Sequence, residues 1–160
     1  MRKSIRIRLA TQKDIFAIKK SIVEWLNWKT SRDKSIKRAI KKKELLVADH
    51  QGKVVGFIHQ VMHEDIIEGG LNSFITCFYV VPEFRNKGIG AKLLRKAIRD
   101  ALDKGAVGIE TSTASLDARR LYERHHFRQF VGKYSMGEVF LELDMEKYTL
   151  WRNIRSDLTR

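Results

Sequence analysis

Residues 78–90 read FYVVPEFRNKGIG: an apolar run, a proline, a basic turn and two glycines one position apart. After them Leu93, Leu94, Ala97, Ile98, Ala101 and Leu102 fall, with Ile89, on one stripe of a helix, while Lys92, Arg95, Lys96, Arg99 and Asp103 fall elsewhere. The stretch is therefore a strand that turns into a helix. Gly88 and Gly90 permit the tight turn and leave backbone N–H groups unshielded at the first helical turn. Those donors and the positive end of the helix dipole make an anion site, and Arg85 and Lys87 put charge at its rim. The expected ligand is a phosphate.

Two familiar phosphate loops do not fit. A dinucleotide fingerprint needs a third glycine where Leu93 stands, and a Walker loop needs Gly-Lys-Ser/Thr, which the chain lacks. Gly105 is placed to end the helix in the left-handed conformation. Residues 106–111 then read as a short strand, so strand, helix and strand form a right-handed crossover and a parallel pair.

Upstream, residues 5–9 alternate apolar and basic, as a half-buried strand does. Thr11 and Asp14 form a near capping box for a helix over 11–28, whose inner face carries Ile15, Ile18, Ile22, Trp25 and Leu26. Trp28 lies off that line, as packing or as a pocket wall. Residues 34–43 predict a second, lysine-rich helix. Two runs, 45–48 and 54–58, flank a glycine-containing turn at 49–53 and read as a hairpin, the second strand reaching toward Met62. His59 shares a strand face with Val55, Phe57 and Val61, which reads as a packed or edge-exposed imidazole rather than a catalytic one. His63, Glu64 and Asp65 are successive and point apart, a poor metal cluster, so no metal is expected. Residues 64–73 predict a polar loop, and 74–81 a strand buried on both faces. Residues 112–115 offer helix caps, with Ala118, Leu121 and Tyr122 on the inward line of the helix that follows. Antiparallel strands are expected at 127–134 and 138–145, around 135–137. The basic tail with Trp151 either docks as a helix or frays.

A chain of 160 residues suits one domain, 1–160, with 146–160 as a C-terminal extension. The basic N-terminus lacks the apolar run of a signal peptide, and no segment has the roughly 20 apolar residues of a membrane span, so a cytoplasmic protein is expected. Cys77, the single cysteine, lies in an apolar strand and reads as a buried, inert thiol. A formal net charge of +13 suits phosphate-bearing ligands, an acidic acceptor or nucleic acid, and equally a solvated basic surface. No aromatic residue between Arg32 and Lys43 could stack bases, which disfavours nucleic acid there.

The run Arg85-Asn86-Lys87-Gly88-Ile89-Gly90, with the pattern R-x-x-G-x-G after an apolar strand and Val81-Pro82-Glu83, resembles the GNAT superfamily of acyl-CoA-dependent N-acyltransferases. A second motif of that family falls on Ser115 and on Leu121-Tyr122-Glu123-Arg124-His125-His126-Phe127. Serine stands where the family has asparagine, a cap of shorter reach, and His126 stands where it has a helix-ending glycine.

The resemblance implies an α/β (α+β) fold: a single domain with a central mixed, mostly antiparallel sheet, one parallel strand pair, and flanking helices. It implies acetyl-CoA as cosubstrate. The pantetheine arm would pair with Phe78, Tyr79 and Val80, and the pyrophosphate would meet Arg85, Asn86, Lys87, Gly88, Ile89, Gly90 and Ala91, with Ser115 nearby. Tyr122 resembles the family's general acid, and an amide near Val80 its oxyanion donor. Glu110 resembles the base of protein N-terminal acetyltransferases, a water chain being the alternative. The implied reaction is direct attack by a primary amine, of a small molecule or a protein, on acetyl-CoA in a ternary complex. No membrane partner is expected, and a homodimer is left open. Two rival readings stand beside it. One is a basic nucleic-acid or ribosome-binding module resting on the net charge and residues 34–43. The other is a non-catalytic acyl-CoA sensor, in which Tyr122 and Glu110 would be replaceable.

Overall fold

The structure, a computed structural model, describes residues 4–27, 32–66, 69–129 and 139–153, and the backbone of 154–158. Its strands are β1 (Arg6–Leu9), β2 (Leu45–His50), β3 (Lys53–Glu64), β4 (Leu71–Val80), β5 (Gly108–Thr113), β6 (Phe127–Gln129) and β7 (Val139–Leu143). Its helices are α1 (Ile15–Leu26), α2 (Asp33–Lys41), α3 (Ile89–Asp103), α4 (Leu116–Glu123) and α5 (Met145–Leu158). Chain packing divides it into two compact units. Met1–Val61 with Ile75–Asp100 form the first, and Met62–Phe74 with Ala101–Arg160 the second.

In the first unit the strands lie in the order β1-β2-β3-β4. β1 pairs antiparallel with β2, and β2 with β3, in a register that sets Val47 opposite Phe57 and Leu45 opposite His59. The hairpin is tighter than the sequence predicts. Gln51 and Gly52 both take positive φ, 56° and 82°, which matches the twist of the flanking strands and lets pairing run to His50 and Lys53. One sheet face is covered by α1 and α2. Ile18, Ile36 and Ala39 pack there on Leu45, Val47, Phe57 and Tyr79, removing the apolar stripes of both helices from water. α1 begins at Ile15, after a 3-10 turn over Gln12–Asp14, and Asn27 in the left-handed conformation (φ 52°) follows its last residue. The expectation for Trp28 falls outside the described residues.

Arg8 locks the edge of this unit. Its guanidinium reaches Asp14 at 2.7 Å and Asp49 at 2.9 Å, while the Thr11 N–H donates to Asp14 Oδ2 at 2.7 Å. Burial works to raise the Asp14 pKa, but the hydrogen bonds from Arg8 and Thr11 outweigh it and hold the carboxyl below its usual range.

In the second unit β5 pairs antiparallel with β7, and β7 with β6. β4 and β5 are the sheet's parallel neighbours, and they start side by side where the Val107 N–H donates to Leu71 O at 2.8 Å. Gly108 allows this approach, because a Cβ there would stand 2.8 Å from Asn72 Oδ1. β4 thus starts at Leu71, inside the region read as a polar loop, and its Asn72 and Ser73 are buried. Nor is β4 buried on both faces throughout, since Thr76 is exposed. β5 runs two residues past its expected end, to Thr113. The described part of the next predicted strand is Phe127–Gln129, and its continuation lies outside the described residues. His126, at φ 69°, takes the left-handed conformation that glycine would adopt freely, and its ring lies 5.5 Å from that of Trp151. The tail is the helix α5, with Asp144 Oδ1 accepting from the Lys147 N–H at 3.0 Å.

Candidate active site

The phosphate-loop candidates take shape in the first unit. After β4, Pro82–Phe84 form a 3-10 turn, Arg85 is extended, and Asn86 and Gly88 take positive φ of 57° and 76°. Asparagine tolerates that region through its short polar side chain, and glycine without cost. α3 then begins, its Lys92 N–H donating to Gly88 O at 3.1 Å. The amides of Ile89, Gly90 and Ala91 therefore precede the first intrahelical donor, Lys92, and form the helix's orphan donors. Residues 85–88 are exposed, whereas Ile89, Leu93, Leu94, Ala97 and Ile98 anchor α3 in the interior. The loop's backbone is open while its footing is fixed.

The loop's charged side chains turn inward on the loop. Arg85 Nε–H donates to Val80 O at 2.9 Å, and the guanidinium carbon lies 5.6 Å from the Tyr79 ring centre. Lys87 Nζ donates to Glu83 O at 2.8 Å and stands over the Phe84 ring. Tyr79 is buried, stacked on Trp25 with ring centres 5.6 Å apart. Burial pushes its phenol above its usual pKa, and Arg85 opposes that in part. What the loop offers an anion is chiefly its backbone.

At the end of β4, Val81 N–H donates to Val55 O at 3.0 Å. By the alternation of a strand, the Val80 N–H and C=O point to the edge away from β3. Gly56 allows the close approach: a Cβ there would stand 2.9 Å from Tyr79 O. Cys77 shares this strand, and burial pushes its thiol up to about 11, which disfavours the thiolate form at neutral pH.

The second unit brings Tyr122, Glu110 and Ser115 around β5. Tyr122 is buried on α4, its ring 5.2 Å from that of Phe127, and its hydroxyl accepts from Thr111 Oγ1 at 3.4 Å. Glu110 precedes Thr111 on the strand and so points to the opposite face. Tyr122 and Glu110 thus flank β5 from its two sides. Glu110 stands opposite Glu142 of β7, whose carboxylate accepts from Arg128 at 2.8 Å. This paired carboxylate escaped the sequence reading, because it depends on register rather than on a motif. Ser115 caps α4, its Oγ accepting from the Ala118 N–H at 3.3 Å. Among the described residues no group of three His, Cys, Asp or Glu is arranged to hold a metal, and no helix is long and apolar enough to cross a membrane.

The chain is 32% identical over 114 residues to an uncharacterized N-acetyltransferase of Archaeoglobus fulgidus, covering 69% of this chain and 72% of that protein. Its fold is similar to that of the NatC complex bound to Gag peptide and CoA, at a TM-score of 0.74 and 19% identity, covering 88% of this chain and 98% of that one. It is similar also to the PaiA N-acetyltransferase of Thermoplasma acidophilum in complex with coenzyme A, at a TM-score of 0.72 and 17% identity, over 88% of this chain and 98% of that one. Residues 15–127, well over half of the chain and including both the loop after β4 and Tyr122, match the family described as Acetyltransferase (GNAT), and to that family the protein belongs.

Proposed function

We propose that the protein transfers an acetyl group from acetyl-CoA to a primary amine, by direct attack in a ternary complex. The observation that carries this reading is the loop over residues 85–88, which leads into the orphan amides of Ile89, Gly90 and Ala91 and suits a pyrophosphate. Two structural neighbours are described with CoA bound. Phe78, Tyr79 and Val80 would carry the pantetheine arm along β4. Asn86, Lys87 and Gly88 would surround the diphosphate, with Arg85 shaping the turn from behind. Ser115 would act through its cap on α4.

The amine must shed a proton, the carbonyl oxygen gains charge, and the departing thiolate takes up a proton. The Val80 N–H, turned away from β3, is suited to the oxyanion. Glu110, beside Glu142, offers negative potential that draws in an ammonium group, and Glu110 takes its proton directly or through water. Tyr122 supplies a proton to the thiolate. A phenol near pKa 10 giving its proton to a thiol near 8.5 is about 2 kcal/mol uphill, so Tyr122 assists rather than dictates the rate.

The test is thiol release from acetyl-CoA with a panel of amines: an N-terminal peptide, lysine and a polyamine. Amine-dependent release that falls in Tyr122→Phe supports the reading. CoA binding without release for any amine favours a sensor. Retention on polyanions without CoA binding favours the nucleic-acid module.

A further inference from the structure

Helices α1 and α2 cover one face of β1–β4, and the side they turn away from it carries a pattern that none of the roles above uses. Ile18 of α1 and Ile36 of α2 are buried in the core beneath them. At about 100° per residue, the positions two before and two after each isoleucine lie nearly opposite it. On α1 these are Phe16 and Lys20, and on α2 they are Lys34 and Arg38, with Lys41 two beyond the buried Ala39. All five are exposed, Phe16 by 78%.

The two outward lines lie side by side. Lys19 Nζ pairs with Asp33 Oδ1 at 3.0 Å, which sets the middle of α1 beside the start of α2. At its other end α2 leads into Leu45, whose carbonyl accepts from the Ala10 N–H at 2.9 Å, just ahead of α1. The helices therefore run antiparallel, and Phe16 falls level with the middle of α2. Packed helix axes stand about 8–10 Å apart and Lys34 to Lys41 spans about 10 Å, so the five side chains share one patch. The acids of these helices are engaged. Asp14 is held by Arg8, Asp33 pairs with Lys19, and Glu24 lies 3.7 Å from Lys20. Among the described residues Lys34, Arg38 and Lys41 have no ion-pair partner.

We propose that this patch docks single-stranded nucleic acid, with phosphates on Lys34, Arg38 and Lys41 and a base stacked on Phe16. Residues 34–43 contain no aromatic residue of their own, and the fold supplies one from the neighbouring helix. Cations that track the backbone beside a ring on which any base can lie are what sequence-tolerant single-strand binding requires. Two other occupants fit less well. A helix lying on a membrane sinks an apolar face into the lipid. Here the apolar stripes of both helices are taken up by the sheet, and Phe16 stands alone among cations. A second copy of the chain would set like charges against each other. The patch shares no residue with the loop before α3, so the inference does not depend on the acetyltransferase reading.

The experiment is fluorescence anisotropy of a labelled oligouridylate of about 15 nucleotides, titrated with the full chain at several salt concentrations. Wild type is expected to bind with a Kd of about 1–100 μM near physiological salt. Phe16→Ala should weaken binding about tenfold and leave the salt slope unchanged. The triple variant Lys34→Gln, Arg38→Gln, Lys41→Gln should flatten the log–log salt slope by about 2, as loss of three phosphate contacts requires. Both variants alter exposed side chains, and their thermal melts by circular dichroism should match that of wild type. The proposal is overturned by absence of wild-type binding at low salt, or by unchanged binding in either folded variant. Equal affinity for a duplex of the same length overturns it too, since a paired base cannot stack on Phe16. So does tighter binding to phosphatidylserine vesicles that displace the oligonucleotide, which would make the surface a membrane contact. CoA titration of the same samples tests the acetyltransferase reading separately.

Discussion

The Arg85 Nε–H donates to the carbonyl oxygen of Val80 across 2.9 Å, tying the first residue of R-x-x-G-x-G to the strand it follows. The bond closes the turn between β4 and α3. It also tethers Val80, the residue whose N–H is the proposed oxyanion donor. Arg85→Ala is therefore expected to weaken CoA binding about tenfold and to cost about 1 kcal/mol of stability, small because the pair is exposed. Lysine, lacking the planar fork, should not restore either. Calorimetry and thermal melting on the alanine and lysine variants check this.

Gly56 lies against the same segment. A methyl group there would stand 2.9 Å from Tyr79 O and 3.3 Å from Val80 Cγ2, a backbone atom and a branched side chain that yield little. Gly56→Ala should push β4 from β3, costing about 1–3 kcal/mol and lowering the melting temperature by about 2–10 °C. CoA affinity should fall with it.

Tyr122→Phe keeps the ring against Phe127 and removes only the hydroxyl. The expected outcome is a kcat lower by about 10²-fold, with KM for acetyl-CoA and the melting temperature nearly unchanged. An equal loss in CoA affinity would mark the residue as packing.

Asp14 sets the acid side of stability. Its pKa is depressed in the fold, so its contribution is fully present above the unfolded value of about 3.9 and is lost as pH falls through the lower folded value. Arg8→Ala leaves this buried carboxylate without its cation and should destabilise by about 2 kcal/mol at pH 7. The gap from wild type should narrow in acid melts as Asp14 protonates.

The sequence carried the strand, loop and helix of residues 78–90 legibly because their signals are local: a glycine at positive φ, a proline, and a helical stripe. Ser115 was legible as a cap for the same reason, and His126 as a residue in a glycine's place. The beginning of β4 was not, because Asn72 and Ser73 are polar residues buried in a strand, which no alternation pattern marks. Arg85 and Lys87 were read as rim charges, whereas their side chains bond Val80 O and Glu83 O. His59 with Thr76, Glu110 with Glu142, and Arg8 with Asp49 each join distant parts of the chain. Such pairs follow from register, and register is a property of the folded sheet.

The central claim, that the loop before α3 is a cofactor-phosphate site, is met most directly by calorimetric titration with acetyl-CoA and CoA at two salt concentrations. Wild type and a Gly88→Trp, Gly90→Trp double variant, its fold checked by circular dichroism, are compared. The account predicts a Kd of about 1–10 μM for wild type, roughly −7 to −8 kcal/mol, and loss of binding in the folded variant. Absence of wild-type binding at both salt concentrations, or equal binding by the variant, would contradict it.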